Sequence, residues 1–564
     1  MKSPRFIGPA LLVLIAALVL PNAAQAASAT WNGTTNALWS TAGNWNTSPV
    51  PGVGDTATFN NAGNSNTTLT VGTISLSQVL FNTSSAAAYT LGSGTITFAD
   101  GTTTAVLMNS TVTANETISA NLTLGTAIAS NTTVQNDSTT GLLTVSGNIA
   151  GGTGGTAAAK TVTVTGSGNT TISGVISNGG ATTVGIAKTG SGTLLLTNTA
   201  STFTGVVTIS GGTVRASDST VYGAGDQNIT TTVLGQAASN GISFAANATV
   251  KALDLRYNGQ NDSTAQKLQL LNSKGGNLLV NASSTNTTIN VDRESGTGTN
   301  KTIAFFNSNM ANGAVLTVTG ANGYSLGLGT LSVGTGIVAG NATISPTTAN
   351  LTIGNINNAG TTGFAHTLIL DGTSSGNTIT GIIANSATGG GVLSLTKQNS
   401  STWTLSGSST YTGATTINGG TLALGAANRI ADTSNLVMAG GTFATGGFSE
   451  TLGTLTLSAS STIDLGSGTS ALVFLDSSGT TWGTSISLSF VNFTAGVDTV
   501  RIGTTSGGLT GTQLALITIN GSAATIDASG FLATAIPEPS TWGVLIGATA
   551  LVGALFMRRS RRSA

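Results

Sequence analysis

The chain has 564 residues, no cysteine, and 18 basic against 18 acidic side chains, so that only 6% of it is charged. The missing cysteines exclude a disulfide framework and thiol chemistry. Between the two ends, residues 27–534 carry 12 basic against 17 acidic side chains, and this sparse, slightly acidic charge excludes a nucleic-acid partner. Hydrophobic residues make up 39% of the sequence and fall in short alternating runs, which favours a folded β protein over a disordered chain.

The N-terminus predicts a secretory signal peptide. Lys2 and Arg5 precede an apolar run over residues 6–20, and Ala24 and Ala26 then form an A-x-A cleavage pattern. The alternative is an N-terminal membrane anchor, but about 15 apolar residues are short for a span, and small residues follow at once. We therefore expect the Sec machinery to export the chain and signal peptidase to cut it after Ala26.

The segment after the cleavage site is rich in tryptophan. Trp31, Trp39 and Trp45 are three of the six tryptophans in the chain. One interpretation is an aromatic cap that closes the first coil of a repetitive fold, because such folds need covered ends. The other is a glycan-stacking platform, since aromatic faces bind sugar rings. The first is favoured.

The central part predicts strands. Runs such as 91–98 and 161–165 alternate between apolar and polar residues, and Gly, Asn and Ser at their ends supply turns. Helical periodicity is missing outside the two ends, apart from a weak candidate near 265–271. The sequence therefore predicts an all-β fold.

A long internal repeat organises this region. Segment 186–214 is similar to segment 395–422: Lys188 corresponds to Lys397, Phe203-Thr-Gly to Tyr411-Thr-Gly, and both segments end in Gly-Gly-Thr and an apolar residue. The similarity extends upstream, so that the best copies cover 161–216 and 368–424. A long unit thus occurs clearly twice.

A shorter period of about 20 residues lies within this pattern. Thr followed by a large apolar residue recurs at nearly even steps along the second half of the chain. These pairs are Thr402-Trp403, Thr421-Leu422, Thr442-Phe443, Thr462-Ile463 and Thr481-Trp482. The spacing fits one coil of a parallel β-helix, with the apolar residue pointing inward.

Uniform coils of this length would give a rod on the order of 120 Å. We also expect asparagines in the turns to stack between coils. They are Asn178, Asn198, Asn385 and Asn418.

The repeat resembles the autotransporter-associated β-strand repeat. Lys188-Thr-Gly-Ser-Gly-Thr-Leu194 keeps the family's start closely, whereas Lys397-Gln-Asn-Ser-Ser-Thr-Trp403 keeps only the Lys and Thr. The resemblance implies an exported, β-helical passenger. With the rest of the sequence it predicts a right-handed parallel β-helix, or solenoid, over residues 61–534.

The C-terminal tail resembles the PEP-CTERM sorting signal. Pro537, Glu538 and Pro539 precede an apolar stretch at 541–557, which predicts a single transmembrane helix. A basic cluster follows, and by the positive-inside rule it stays in the cytoplasm. It consists of Arg558, Arg559, Arg561 and Arg562. The resemblance implies that an exosortase-type enzyme handles this tail near its Pro-Glu-Pro motif.

The sequence offers little for catalysis. His366 is the only histidine, which excludes a cluster of His metal ligands, and its setting predicts a surface or turn position at a strand entrance. The densest charged places, Asp254-Leu-Arg256 and Asp292-Arg-Glu294, are as easily solvated ion pairs as parts of an acidic groove. We predict no catalytic residue, no metal ligand and no cofactor.

The predicted organisation is a signal peptide (1–26), a Trp-rich cap (27–60), the solenoid (61–534) and the sorting segment (536–562). The chain is expected to be held at the membrane at least transiently and then to reach the cell surface. The favoured function is a non-enzymatic structural or adhesin-like protein of the outer surface, with exopolysaccharide as a candidate partner. The alternative is a β-helix that binds carbohydrate or degrades polysaccharide as a lyase or hydrolase.

Overall fold

The structure is a computed structural model, and it describes residues 28–98, 104–125, 131–152, 158–236, 241–271, 276–334, 339–359, 363–387 and 390–535. The predicted signal peptide with Ala24 and Ala26 lies outside these residues. So does the predicted sorting segment with Pro537, Glu538, Pro539, the apolar stretch and the arginines that follow it. Within the described ranges, no helix is both long and apolar enough to cross a membrane.

The N-terminal part consists of mostly short strands separated by turns. They are β1 (Ala29–Thr30), β2 (Thr56–Phe59), β3 (Thr68–Leu76), β4 (Gln78–Phe81), β5 (Thr90–Phe98), β6 (Thr104–Met108), β7 (Glu116–Ile118), β8 (Asn121–Leu124), β9 (Asn131–Asn136), β10 (Leu143–Val145), β11 (Ile149–Gly151), β12 (Ala159–Thr165), β13 (Thr170–Ile172), β14 (Ile176–Ser177), β15 (Thr183–Lys188), β16 (Thr193–Leu196), β17 (Val207–Ile209) and β18 (Gly212–Val221). Strands β3, β5 and β18 are the longer exceptions.

The middle part contains several long strands. Its strands are β19 (Gln227–Ile229), β20 (Ile242–Phe244), β21 (Lys251–Asn258), β22 (Gln266–Leu270), β23 (Asn277–Val280), β24 (Thr287–Asp292), β25 (Lys301–Met310), β26 (Val315–Gly320), β27 (Ser325–Val333), β28 (Gly340–Pro346), β29 (Leu351–Asn358), β30 (His366–Leu370), β31 (Asn377–Ile379) and β32 (Ile383–Ala384). The weak helical candidate near 265–271 was wrong, because this segment is β22, whose side chains alternate in burial.

The C-terminal part returns to short strands and adds one helical turn, α1 (Gly511–Leu514). Its strands are β33 (Leu393–Lys397), β34 (Thr402–Leu405), β35 (Thr415–Ile417), β36 (Thr421–Leu424), β37 (Leu436–Ala439), β38 (Thr442–Ala444), β39 (Glu450–Leu452), β40 (Leu455–Ala459), β41 (Ser461–Asp464), β42 (Ala471–Phe474), β43 (Leu488–Val491), β44 (Thr499–Ile502), β45 (Ile517–Ile519), β46 (Ser522–Ile526) and β47 (Leu532–Thr534).

The strands stack coil upon coil in parallel ladders, which confirms the all-β, solenoid-like architecture. The first face is the ladder β1-β2-β4-β6-β9-β12-β15-β17-β20-β23-β25-β27-β29-β32. The second face is β3-β5-β7-β10-β13-β16-β18-β21-β24-β26-β28-β30-β33-β35-β37-β40. The third face is β19-β22-β25-β27-β29-β31-β34-β36-β38-β41-β43-β45. Strands β25, β27 and β29 are long enough to belong to both the first and the third face.

The alternation of apolar and polar residues along each strand explains why the coils close around one core. In β12, for example, Val162 and Val164 are buried between outward-facing threonines, and they pair with Ile186 and Lys188 in the next coil. Such inward positions form one continuous apolar cluster through the described coils. Burial of β-branched side chains in register is therefore what holds consecutive coils together.

The predicted register of Thr-apolar pairs is confirmed for four of its five members. Thr402, Thr421, Thr442 and Thr462 are successive partners on the third face. The fifth was wrong, because Thr462 pairs with Ser489 and not with Thr481.

Coil length also varies elsewhere along the chain. On the first face, Val207 pairs with Ile242, which pairs in turn with Leu278. These coils are much longer than the predicted period, so a rod of uniform coils overestimates the height. The sixteen strands of the second face, spaced ~4.8 Å apart, extend over roughly 70 Å.

Both ends of the described solenoid are covered. At the C-terminal end the parallel pairing stops, and β45, β46 and β47 form an antiparallel sheet beyond the last coil. The preceding turn of helix is fixed by a capping box between Thr510 and Gln513. Because β47 is short and antiparallel to its neighbour, the last coil does not offer a long open edge for further pairing.

Candidate functional sites: the aromatic cap, the repeat staples and the charged ladder

The three N-terminal tryptophans form a packed cluster under the first coil. Trp31, Trp39 and Trp45 are 0%, 1% and 5% exposed. The ring centroid of Trp45 lies 5.1 Å from that of Trp31 and 4.7 Å from that of Trp39, both in edge-to-face geometry, and all three rings contact Phe59 of β2. Such offset aromatic contacts add to the free energy gained from burial.

The polar ends of these tryptophans are also used internally. The indole N–H of Trp31 donates to the carbonyl of Asn66 at 3.0 Å, and that of Trp45 donates to the carbonyl of Trp39 at 2.8 Å. The ring faces are thus covered by one another and by Phe59, and they do not present an open platform to a sugar. This geometry favours the cap over the stacking interpretation.

A buried lysine marks each repeat copy. Lys188 ends β15, Lys397 ends β33, and their side chains are 1% and 0% exposed. The ammonium group of Lys188 donates to the carbonyls of Gly190 and Gly211, and that of Lys397 donates to those of Asn399 (3.0 Å) and Gly419 (3.2 Å). Each lysine therefore links the turn of its own coil to the turn of the next. We call this arrangement the lysine clamp.

The clamp depends on a glycine in the following turn. Gly212 and Gly420 have φ of 64° and 60°, in the left-handed region. A Cβ at Gly212 would lie 2.3 Å from the carbonyl oxygen of Gly190, and one at Gly420 would lie 2.3 Å from that of Asn399. The second glycine of the Gly-Gly pair is thus required by backbone conformation and by close approach of the clamped turn.

An asparagine staple accompanies the clamp in both copies. The side-chain oxygen of Asn178 accepts from the backbone N–H of Thr204 at 3.1 Å, and its amide group donates to the Thr204 hydroxyl at 2.9 Å. Asn385 makes the same two bonds to Thr412, at 3.2 and 2.8 Å. The predicted amide stacking does not describe these residues, because their amides bond to the Thr of the aromatic-Thr-Gly motif one coil later.

Buried ammonium groups have shifted pKa values. Burial lowers the pKa of Lys188 and of Lys397 to about 8. The shift reflects the loss of water around the charge, which carbonyl acceptors offset only in part. The lysines are therefore structural groups whose charge is costly to keep inside the fold.

Two glutamates are buried in a comparable way. A carboxylate oxygen of Glu116 accepts from the backbone N–H of Tyr89 at 2.9 Å, and one of Glu450 accepts from that of Arg429 at 2.7 Å. Burial raises the pKa of both carboxyls to about 7. Both side chains are fully enclosed, so they tie neighbouring coils together instead of facing an open groove.

The scattered charges noted in the sequence meet on the second face. Asp254 accepts from Arg215 at 2.6 Å, from Arg256 at 2.8 Å and from the amide of Asn290 at 2.8 Å. Arg256 also donates to Asp292 at 2.8 Å. The ion pair between Asp254 and Arg256 is one of the two interpretations that the sequence offered. The links to Arg215 and Asp292 could not be read from the sequence, because these residues lie in other coils and far apart along the chain. The ladder pairs every charge it contains, and its partly exposed ion pairs contribute modestly to stability.

His366 begins β30, which confirms the strand entrance, but its predicted surface or turn position was wrong. The residue is 2% exposed, and its ring lies against Gly334 of the preceding coil, where φ is +75°. Among the described residues, no group of three or more His, Cys, Asp and Glu side chains is arranged to hold a metal ion.

Comparison with known families gives two matches inside the solenoid. Residues 186–216 and 395–424 match the passenger-associated-transport-repeat family. These segments contain the two lysine clamps described above. No curated protein and no solved structure shows significant similarity to the chain. The repeats and the parallel β-helix-like fold fit an exported, passenger-type, adhesin-like protein.

Proposed function

We propose that this protein is an exported, surface-sorted structural or adhesin-like β-solenoid without enzymatic activity, associated with the outer surface or the exopolysaccharide matrix. The observation that carries the proposal is how the repeat uses its distinctive residues. In both copies the lysine, the aromatic residue and the Gly-Gly pair are buried between coils and help to join one coil to the next. The repeat motif therefore builds a rod, and its side chains are not gathered into a reaction site.

The acidic residues support the same proposal. Polysaccharide-cleaving β-proteins need carboxylates placed a fixed distance apart on an accessible surface. Here Asp254 and Asp292 are paired with arginines, while Glu116 and Glu450 are enclosed in the core. A role in holding the rod together accounts for these four acids without a reaction.

The route to the surface is proposed from the two ends of the sequence. The Sec machinery and signal peptidase would act at Ala24 and Ala26, and an exosortase-type enzyme would recognise the motif Pro537–Pro539. The apolar stretch and the four arginines would hold the chain in the membrane during this step. Exopolysaccharide is the proposed partner of the sorted rod.

Deletion of Pro537, Glu538 and Pro539 tests the sorting step. We expect the variant to accumulate in the membrane fraction at its unprocessed size, whereas the unaltered protein reaches the surface fraction in a shorter form. Thr534→Ala is the matched control, because Thr534 is exposed in β47 just upstream of the motif. Unchanged size and unchanged distribution of the deletion variant would refute the proposed sorting.

A further inference from the structure

Trp482 occupies a place that the coil register does not explain. The regular spacing of Thr-apolar pairs predicted an inward position in a strand, but Thr462 and Ile463 pair instead with Ser489 and Phe490. Between these pairs the chain forms β42, and residues 475–487 then make a loop beside α1. This coil is thus longer than the three before it, and the additional length holds a tryptophan at the edge of the core.

The loop and α1 enclose a pocket of about 490 Å³, which lies in the size range of small-ligand sites. Trp482 forms part of its wall together with Thr480, Thr484, Ser485, Thr512 and Gln513. Six of the ten lining residues carry a hydroxyl group, and none of the ten is ionisable. The pocket therefore combines an aromatic surface with many neutral hydrogen-bonding groups.

The pocket is preformed by hydrogen bonds within its walls. The indole N–H of Trp482 donates to the Thr480 hydroxyl at 3.0 Å and to the carbonyl of Leu455 at 3.2 Å, which fixes the ring. The amide of Gln513 donates to the carbonyls of Ser477 and Thr480, at 3.0 and 2.9 Å, and so joins α1 to the loop. A ligand would meet walls already ordered, which lowers the entropic cost of binding.

The outer wall carries hydroxyls that are open to solvent. Thr484, Ser485 and Thr512 are exposed, whereas Trp482 is 9% exposed and adds an aromatic ring to the lining. Ser485 has φ of 59°, so the loop is held in a left-handed conformation at this point. An aromatic side chain lined up with neutral donors and acceptors in one pocket matches the chemistry of a pyranose, which has apolar C–H faces and hydroxyls around its edge.

We propose that this pocket binds one or two units of a neutral saccharide. The missing charge among its lining residues disfavours uronates and phosphates, which would need cationic partners. The proposal goes beyond the structural role above, and that role stands without it. It assigns a binding surface to the C-terminal end of the rod, which neither the repeats nor the aromatic cap predict.

Calorimetric titration of the purified full-length protein tests the proposal. The probes are neutral hexasaccharides of glucose, mannose and N-acetylglucosamine, with a hexamer of galacturonate as the charged comparator. We expect at least one neutral probe to bind with a Kd on the order of 0.1–1 mM, and the galacturonate to bind at least tenfold more weakly. If no neutral probe binds at about 10 mM, or if galacturonate binds best, the proposal is overturned.

Two variants locate the binding. Thr512→Arg places a long charged side chain at the pocket from an exposed position and should weaken binding at least tenfold, and Thr534→Arg, outside the pocket, is the matched control. Ser485→Gly removes a hydroxyl where the positive φ already suits glycine, so it should keep the fold and weaken binding roughly threefold. Unchanged affinity in both pocket variants would overturn the assignment.

Discussion

The two repeat copies, 186–216 and 395–424, build the same junction on different faces of the solenoid. In the first copy, β15 and β17 lie on the first face and β16 and β18 on the second. In the second copy, β33 and β35 lie on the second face and β34 and β36 on the third. The motif therefore encodes a local relation between consecutive coils, and it does not encode a position around the rod.

The turns after the two lysines differ in how they meet the preceding coil. In the first copy Gly190 and Gly192 stack on Gly166 and Gly168, so closely that a Cβ at Gly192 would lie 2.0 Å from the carbonyl oxygen of Gly168.

The second copy has Asn399 and Ser401 at the positions of those two stacked glycines. The amide of Asn399 donates to the carboxylate of Asp371, and the hydroxyl of Ser401 donates to the Asp371 carbonyl at 2.7 Å. Backbone proximity in one copy is thus replaced by side-chain hydrogen bonds in the other.

The largest loss of stability is expected from the second glycine of the Gly-Gly pair, which both copies share. Gly212→Ala and Gly420→Ala each place a Cβ against a carbonyl oxygen in a left-handed turn, and each should destabilise its coil by about 3 kcal/mol or more. Hydrogen exchange resolved by peptide should show faster exchange around the altered copy and little change in the other, because solenoid coils interact mainly with their neighbours. Gly223→Ala is the control, since a Cβ there meets nothing within 4 Å. Normal protection in either variant would contradict the shared requirement.

Gly192 and Ser401 occupy the same position in the two copies, and exchanging their residue types should destabilise the two copies by different amounts. Gly192→Ser imports the residue of the second copy into a turn without room for it, and we expect a loss of about 2–3 kcal/mol. Ser401→Gly removes one hydrogen bond and should cost only about 1 kcal/mol. Urea denaturation measures both changes. Equal losses would show that the two turns meet their neighbours in the same way.

Removal of the clamp charge should affect both copies alike. Lys188→Met and Lys397→Met leave buried carbonyls without their donor and should each cost about 2 kcal/mol at pH 7. Arg215→Met serves as the control, because Arg215 is a partly exposed partner in the charged ladder. A clear loss in only one copy would limit the clamp to that copy.

The same lysines give a pH dependence with a definite sign. Their folded pKa is about 8, below the ordinary value of 10.5, so the unfolded chain binds more protons between these limits. The free energy of unfolding of the unaltered protein should therefore rise from pH 8 to pH 10.5, and it should rise less in the double Met variant. Parallel curves for the two proteins would contradict the role of these side chains.

The smallest expected loss of stability comes from a change that should affect only the second copy. Asp371→Ala removes the carboxylate that accepts from Asn399 and should destabilise the second copy by about 1 kcal/mol, while the first copy keeps its protection. Exchange rates of peptides from 395–424 and 186–216 provide the measurement. Asp527→Ala, in the terminal hairpin, is the control variant. Equal loosening of both copies would show that the turn is not stabilised locally.

Much of the fold follows from local patterns. Alternation of apolar and polar residues determines which side chains of a strand face inward, so the all-β fold and the register from Thr402 to Thr462 were predictable. The aromatic cap was the favoured interpretation of the three tryptophans before the first coils, but the sequence also allowed a glycan-stacking platform, and only the burial of the rings favours the cap over it.

Features that depend on loop length could not be predicted from such local patterns. Thr481-Trp482 satisfies the same local rule as the four earlier pairs, yet Ser489 takes the place next to Thr462. The charged ladder and the pocket beside α1 also depend on coil length. Asp254, for example, lies next to Asn290 only because the coil between them has that length.

The sequence by itself determined that the chain forms strands, that two long segments repeat, and which residues of the repeat are special. Only the tertiary structure decided how many residues each coil takes, on which face each copy lies, and that the special residues are a lysine clamp and an asparagine staple. The physical reason is that the inward or outward direction of a side chain is set within a few residues. Pairing between coils, in contrast, is set where apolar side chains from distant segments pack in register.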